Sequence, residues 1–185
     1  MRNKLATMLL ILLGIVLFPV PGRGQSEAVN FTRKGDTIQV TIGNQPFTGY
    51  RFDPQTATAS LPPLRDASGI VVTRGFPIGD KIPVAHQHDH SLEPHQRSMY
   101  FGHGNINGYN FWSEEIFLKY YGHGYPTNFG RMVFRKIDEM RGGPTSGTIR
   151  ATFDLEGTDR KPFARETQEF TFRGEQGSRT IDAQV

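Results

Sequence analysis

Glycine or proline interrupts nearly every ten-residue stretch of this chain, and between the interruptions lie short runs in which apolar and polar residues alternate. A helix needs a longer unbroken span at a 3.6-residue period, whereas a strand needs only a few residues at a period of two. The pattern therefore points to an all-β fold. Thr37 to Ile42 (TIQVTI) alternates cleanly, and across the turn Lys34-Gly35-Asp36 it forms a hairpin with Val29 to Thr32. Further strands are expected at Pro46 to Phe52, Gly69 to Thr73, Ser98 to Phe101, Gly130 to Lys136, Gly147 to Phe153 and Glu166 to Arg173. Phe170 to Phe172 and Ser178 to Asp182 read as the arms of a closing hairpin, and only Ser113 to Tyr121 offers a helical stretch. So many short strands form a β-sandwich or an open barrel around one core.

The 185 residues carry 21 Lys and Arg against 18 Asp and Glu. Three of the basic groups, Arg2, Lys4 and Arg23, fall in the first 24 residues, which contain no acid, so 18 of each sign remain behind them. No Lys- or Arg-rich run suited to a phosphate backbone occurs in that remainder, which argues against nucleic acid as a partner. A charged start, an apolar run from Leu5 to Val20 and a Pro/Gly break at Pro19 to Gly22 give residues 1–24 the layout of an export signal. The apolar run, interrupted by Gly14, falls short of the ~20 residues that span a bilayer. A cleaved signal is thus expected, leaving residues 25–185 as one β-sandwich domain in the periplasm or outside the cell. Membrane contact is expected only through the first segment, if it is kept. The chain has no cysteine, which excludes a disulfide framework, a thiol nucleophile, thiolate metal sites and a cysteine-borne lipid anchor.

All six histidines lie between His86 and His123, four of them in the run HQHDHSLEPH. His86, His88 and His90 are two apart, so on a strand their imidazoles share one face, the geometry of His-x-His metal sites. His95, past a proline, could return to the same region. Imidazole with carboxylate suits a divalent metal such as Cu, Zn or Fe without choosing among them. Pro83, Ser91 and Pro94 argue against a continuous strand here, and a metal-free polar site or a solvated loop fits the same residues.

Downstream, RSMYFGHGNINGYNFW (97–112) gathers Arg97, His103, Asn105 and Asn107 among glycines, where the backbone can turn tightly and approach a ligand closely. Tyr109, Phe111 and Trp112, the chain's one tryptophan, follow. Imidazole and amide groups beside an aromatic platform suit a sugar ring, which asks for hydrogen bonds at its edge and stacking on its face. Read for chemistry, His95 and His103 are candidate proton-transfer groups and Arg97 a candidate to stabilise an oxyanion, with Asn105, Asn107 and Trp112 as ligand contacts. Read for packing, Phe111 and Trp112 are core anchors and Asn107-Gly108 is a hairpin turn. Glu114 and Glu115 suit the N-terminal dipole of the short helix. His123, with glycine on both sides, reads as a loop residue, and Glu166 as a salt-bridged surface group.

The stretches PLRDASGIVVTRGFP (63–77), PHQRSMYFGHGNINGYNFW (94–112), GRMVFRK (130–136) and ARETQEFTF (164–172) resemble the secreted bacterial proteins of the "methane oxygenase PmoA" family. The family pattern, roughly Pro-His-His-Arg-(Ser/Gly) and then Gly-x-x-Asn-Gly-x-Asp-Phe-Trp, falls on His95 and Arg97 and on Asn107, Gly108, Phe111 and Trp112. The resemblance implies a β-sandwich of the galactose-mutarotase type and a carbohydrate or other small-molecule ligand. It also implies a family domain longer than this chain, which would correspond to the N-terminal part. Gln96 stands in place of the second His and Asn110 in place of the Asp. An amide hydrogen-bonds but takes up no proton near neutral pH, which counts against acid/base or metal chemistry at those two positions. A non-catalytic module fits the same substitutions.

Overall fold

A computed structural model of the chain describes residues 25–54, 56–75, 95–115 and 127–185. Its strands are β1 (Ser26–Glu27), β2 (Val29–Lys34), β3 (Thr37–Ile42), β4 (Gln45–Arg51), β5 (Ser60–Leu61), β6 (Met99–Tyr100), β7 (Arg131–Arg141), β8 (Gly147–Glu156), β9 (Pro162–Glu175) and β10 (Ser178–Gln184). They pair antiparallel into two sheets. In one, β7, β8, β9 and β10 lie in that order, and β1 joins the end of β9 on the edge that β8 occupies further along. The other runs β2-β3-β4-β5-β6. The protein is an all-β sandwich, as the punctuation and alternation of its sequence require.

Alternation decides which face each strand buries. In β3, Ile38, Val40 and Ile42 are sealed from solvent while Gln39 is exposed. In β8, Ile149, Ala151, Phe153 and Leu155 turn inward. The two inner faces meet in one core cluster. Phe172 of β9 packs edge-on against Phe31 and Phe47 of the opposing sheet at 5.8 and 6.2 Å, and Tyr50 against Phe170 at 5.3 Å. Each large apolar side chain taken out of water contributes roughly 1.5–3 kcal/mol, so this aromatic layer is the main bond between the sheets. At one end the backbone joins them as well: Val29 and Gly143 exchange N–H···O bonds of 2.9 and 3.0 Å.

A polar chain also crosses the core. Tyr50 Oη donates to Gln168 Oε1 at 2.8 Å, and Gln168 Nε2 donates to Glu166 Oε1 at 2.7 Å. Glu166, expected as a salt-bridged surface group, instead shares the inner face of β9 with Gln168 and Phe170. Two residues from Gln168 on a period-two strand, it has no choice of face. Burial pushes its carboxyl above the usual carboxylate range, opposed by the hydrogen bond from Gln168. Neighbouring Arg165 turns outward and pairs with Asp154 at 3.1 Å. Arg135 reaches the same carboxylate at 2.6 Å. Burial alone would raise the Asp154 carboxyl, but the hydrogen bonds from the two arginines outweigh it and hold that group below its ordinary value.

Two expected elements differ. Gly69 to Thr73 is not a strand but one side of a small hairpin, whose one backbone bridge is Arg65–Val71. Its tip is set by Asp66 Oδ1, which accepts hydrogen bonds from Ser68 N, Ser68 Oγ and Ile70 N. The strand expected to end at Lys136 continues to Arg141, with register shifts between Phe134 and Lys136 and between Ile137 and Glu139. The helical stretch read from Ser113 lies mostly outside the described residues.

Candidate functional site

The site begins with two strands of two residues each. β5 and β6 pair through Ser60↔Tyr100 and Leu61↔Met99, with Leu61 sunk in the core and Met99 packed against it. Arg97, two residues before Met99, follows it inward and is 2% exposed. There its guanidinium meets the Glu114 carboxylate and the Thr58 hydroxyl, and Thr58 Oγ1 donates to Glu114 Oε1 at 3.0 Å. Arg97 Cζ also lies 4.7 Å from the centroid of the Tyr100 ring. The oxyanion role read for Arg97 gives way to a holding one, because a buried carboxylate already meets its charge. Glu114, read as a helix-dipole group, is that counterion. Sequence reasoning could not pair them, since Thr58, Arg97 and Glu114 come from three separate stretches of chain.

After β6 the chain makes a small hairpin. Ile106 and Tyr109 exchange backbone bonds of 2.9 and 3.0 Å, and Asn107 (φ 53°) and Gly108 (φ 86°) form the two-residue turn. Positive φ at both central positions is the type I′ geometry that Asn-Gly favours. Asn105 Oδ1 accepts from Gly108 N at 2.8 Å, and His103 Nδ1 accepts from Asn105 N at 3.1 Å. His103, Asn105 and Asn107 are exposed and build this turn. Phe111 then enters the core, its ring so close to Gly130 that a Cβ there would lie 2.2 Å away. Trp112, next in the chain, is sent outward and is 44% exposed. Reading Phe111 and Trp112 as paired core anchors thus holds for Phe111 alone.

Asn110 fixes that outward turn. It is buried, and its Oδ1 accepts from Trp112 N at 2.9 Å and Ser113 N at 3.1 Å. An aspartate would accept the same two bonds. Asn110→Ala is expected to lower stability by about 1 kcal/mol, as losing an equivalent cap does, and to blunt the near-ultraviolet dichroism of Trp112. Asn110→Asp is expected to retain both, and denaturant unfolding with dichroism reads the two variants side by side.

Trp112 stands over a cleft of about 330 Å³. Its ring centroid is 5.5 Å from that of His95 and 6.1 Å from that of Tyr100, which makes a continuous ring ledge. Thr73, Arg74, Gln96 and Ser98 line the rest of the cleft together with Arg97. The Thr73 and Ser98 hydroxyls are 3.1 Å apart; Thr73 Oγ1 accepts from Leu64 N at 2.9 Å, and Ser98 Oγ donates to Leu61 O. The cleft therefore gathers His95, Arg97 and Trp112, whereas His103, Asn105 and Asn107 are not part of its lining. His86, His88, His90 and His123 lie outside the described residues, among which no cluster of three or more His, Asp or Glu suited to a metal occurs. Arg74 and Tyr100 are lining groups that sequence reasoning missed; a single arginine in VVTRGFP and a tyrosine in a strand carry no pattern.

A second cleft, about 260 Å³, opens beyond Glu114. Its arginines are engaged at the rim: Arg131 Nε lies 3.1 Å from Glu156 and Arg160 Nη2 3.6 Å from Glu115. The ring ledge is the stronger candidate of the two, because among the described residues it sets an exposed aromatic platform beside donor groups.

Comparison with protein-family models matches residues 37–185 to DUF6807, a family of unknown function. The chain belongs to DUF6807. The DUF6807 match runs from β3 to the last residue, so the whole ledge falls inside the family domain. No curated protein and no solved structure matches the chain.

Proposed function

We propose that this DUF6807 protein is an exported sugar-binding protein that holds a carbohydrate ring on the ledge of Trp112, His95 and Tyr100. The observation that carries the reading is Trp112, which stands 44% exposed beside an imidazole while its neighbour Phe111 is buried to 2%. A chain with one tryptophan that leaves it at the mouth of a cleft, held there by the buried side chain of Asn110, has the flat apolar surface on which a sugar face stacks. His95 and Gln96 supply hydrogen-bonding groups for the ring's edge. Export rests on the signal-like layout of residues 1–24, and the resemblance to PmoA-type secreted proteins points the same way, to the periplasm or the cell exterior. Acid/base use of His95 together with His103 draws no support from the cleft, since His103 does not line it.

Calorimetric titration of the purified protein against a panel of oligosaccharides tests the proposal. Trp112→Ala is expected to weaken the best ligand by about thirtyfold in Kd, the effect of removing an aromatic anchor worth about 2 kcal/mol. Because Trp112 is largely outside the core, the thermal midpoint of the variant should stay close to that of the parent. Affinity unchanged by Trp112→Ala would reject the ledge as the binding surface, and a panel without any binder would reject the function.

A further inference from the structure

Resting on the export signal read in residues 1–24, we infer that the end of the sandwich where β1 begins faces a lipid bilayer, and that the hairpin carrying Ile70, Val71 and Val72 docks there by inserting those side chains. The three are consecutive, and they are 64%, 44% and 60% exposed. Other large apolar side chains left exposed among the described residues, such as Trp112 and Met140, stand singly in the chain. Single exposed apolar groups are ordinary, whereas a contiguous patch marks a surface that meets protein or membrane. The hairpin is also built to hold them out. Asp66 Oδ1 fixes the turn through Ser68 and Ile70, Asp66 N donates to Ile70 O and Val72 N to Leu64 O at 2.9 Å each, and Arg65 Nη1 donates to Gly69 O at 3.0 Å. A tip already fixed loses little conformational freedom on docking.

Where the chain enters the fold points to the occupant. Ser26 and Ser178 both pair with Glu175, from its two sides, and Glu27 Oε2 meets Arg179 Nη2 at 2.7 Å. Gly177, Ser178 and Arg179 line a groove of about 390 Å³ together with Leu64, Asp66 and Val72 of the hairpin. The start of β1, the β9–β10 turn and the apolar hairpin therefore share one end of the molecule. An export signal holds its apolar run in the membrane until it is cut, and Ser26 follows Val20, the end of that run, by six residues. Six residues reach at most about 20 Å. The domain thus emerges with this end, and the hairpin on it, turned to the bilayer.

Site-specific fluorescence tests this. The chain has no cysteine, so Val71→Cys and Thr158→Cys each place a single thiol for an environment-sensitive fluorophore. Thr158 is exposed in the turn that enters β9, at the other end of that strand from Glu175. Each variant, exported from a bacterial host as the full chain and then labelled, is titrated with phosphatidylcholine vesicles. Position 71 is expected to brighten and shift to the blue while position 158 stays unchanged. Adding Ile70→Ser with Val72→Ser should raise the lipid concentration at half-response at least about tenfold, since partition follows the apolar area withdrawn from water. The thermal midpoint should not move. No response at position 71, or an equal one at position 158, would overturn the lipid-facing hairpin and leave export standing. A response that the serine substitutions leave unchanged would overturn the assignment to the apolar tip. Brightening of position 71 with protein concentration alone would give the patch to a second copy and overturn the lipid partner. Retention of the protein in the cytoplasm would overturn the export reading together with the orientation argued from it.

Discussion

Replacing Glu114 with alanine is expected to cost about 3–5 kcal/mol of folding stability, the penalty for breaking a buried ion pair from one side. The side chains of Arg97 and Glu114 are 1% and 2% exposed, so the guanidinium would lose this counterion where solvent cannot replace it. Thr58, itself 2% exposed and donating to Glu114 at 3.0 Å, would lose its acceptor as well. On a domain whose total stability is of order 5–15 kcal/mol, that loss brings the protein close to unfolding at moderate temperature. Arg97→Met should destabilise comparably by leaving the carboxylate buried. The double variant Arg97→Met with Glu114→Leu should recover much of the loss, because two apolar groups of similar volume leave no buried charge behind. Urea unfolding of Arg97→Met, Glu114→Leu and the double variant beside the parent gives the coupling energy directly. A loss below about 1 kcal/mol in Glu114→Ala, the range of an exposed pair, would mean that the cluster does not anchor this end of the sandwich. Since Arg97 also lies under Tyr100, the surviving fraction of Glu114→Ala should bind its ligand more weakly.

How far the sequence discloses this protein depends on whether the signal is local. The β2–β3 hairpin is legible because Ile38, Val40 and Ile42 alternate without interruption and the turn is marked by Gly35. The β9–β10 hairpin is legible for the same reason, through Phe170, Phe172 and Ile181. β7 is harder: its inward residues Met132, Phe134 and Ile137 are spaced by two and then three, because the register shift between Phe134 and Lys136 inserts a residue. That spacing breaks the period of two, so only the first half reads as a strand. At the site, the cluster of chemistry-bearing residues between 95 and 112 is visible, but the direction of each side chain is not. Phe111 and Trp112 are adjacent aromatics of opposite fate, decided by the room beside Gly130 and by the bonds of Asn110. Arg97 looks reactive in one dimension and is buried in three, because its partners come from distant parts of the chain.

Phe172→Ala is the second large loss expected, about 3–5 kcal/mol, the usual cost of opening a phenylalanine-sized cavity in a packed core. Phe172 is fully buried, and its ring lies 5.8 Å from Phe31, 6.2 Å from Phe47 and 6.4 Å from Phe170, so it bridges the two sheets where their inner faces meet. Collapse into the gap is limited because Phe170 is held on β9, whose backbone is paired on both sides. Phe172→Leu, which keeps most of the volume, should lose less than the alanine variant. The comparison with Trp112→Ala separates scaffold from site. One aromatic truncation should lower the urea midpoint strongly while the folded molecules bind as before; the other should do the reverse. Both variants can be followed by far-ultraviolet dichroism, which does not depend on Trp112. If Phe172→Ala lost ligand affinity to the same degree as stability, the ledge would have to be coupled to the centre of the sandwich. The division of labour between a buried aromatic layer and one exposed ring would then fail.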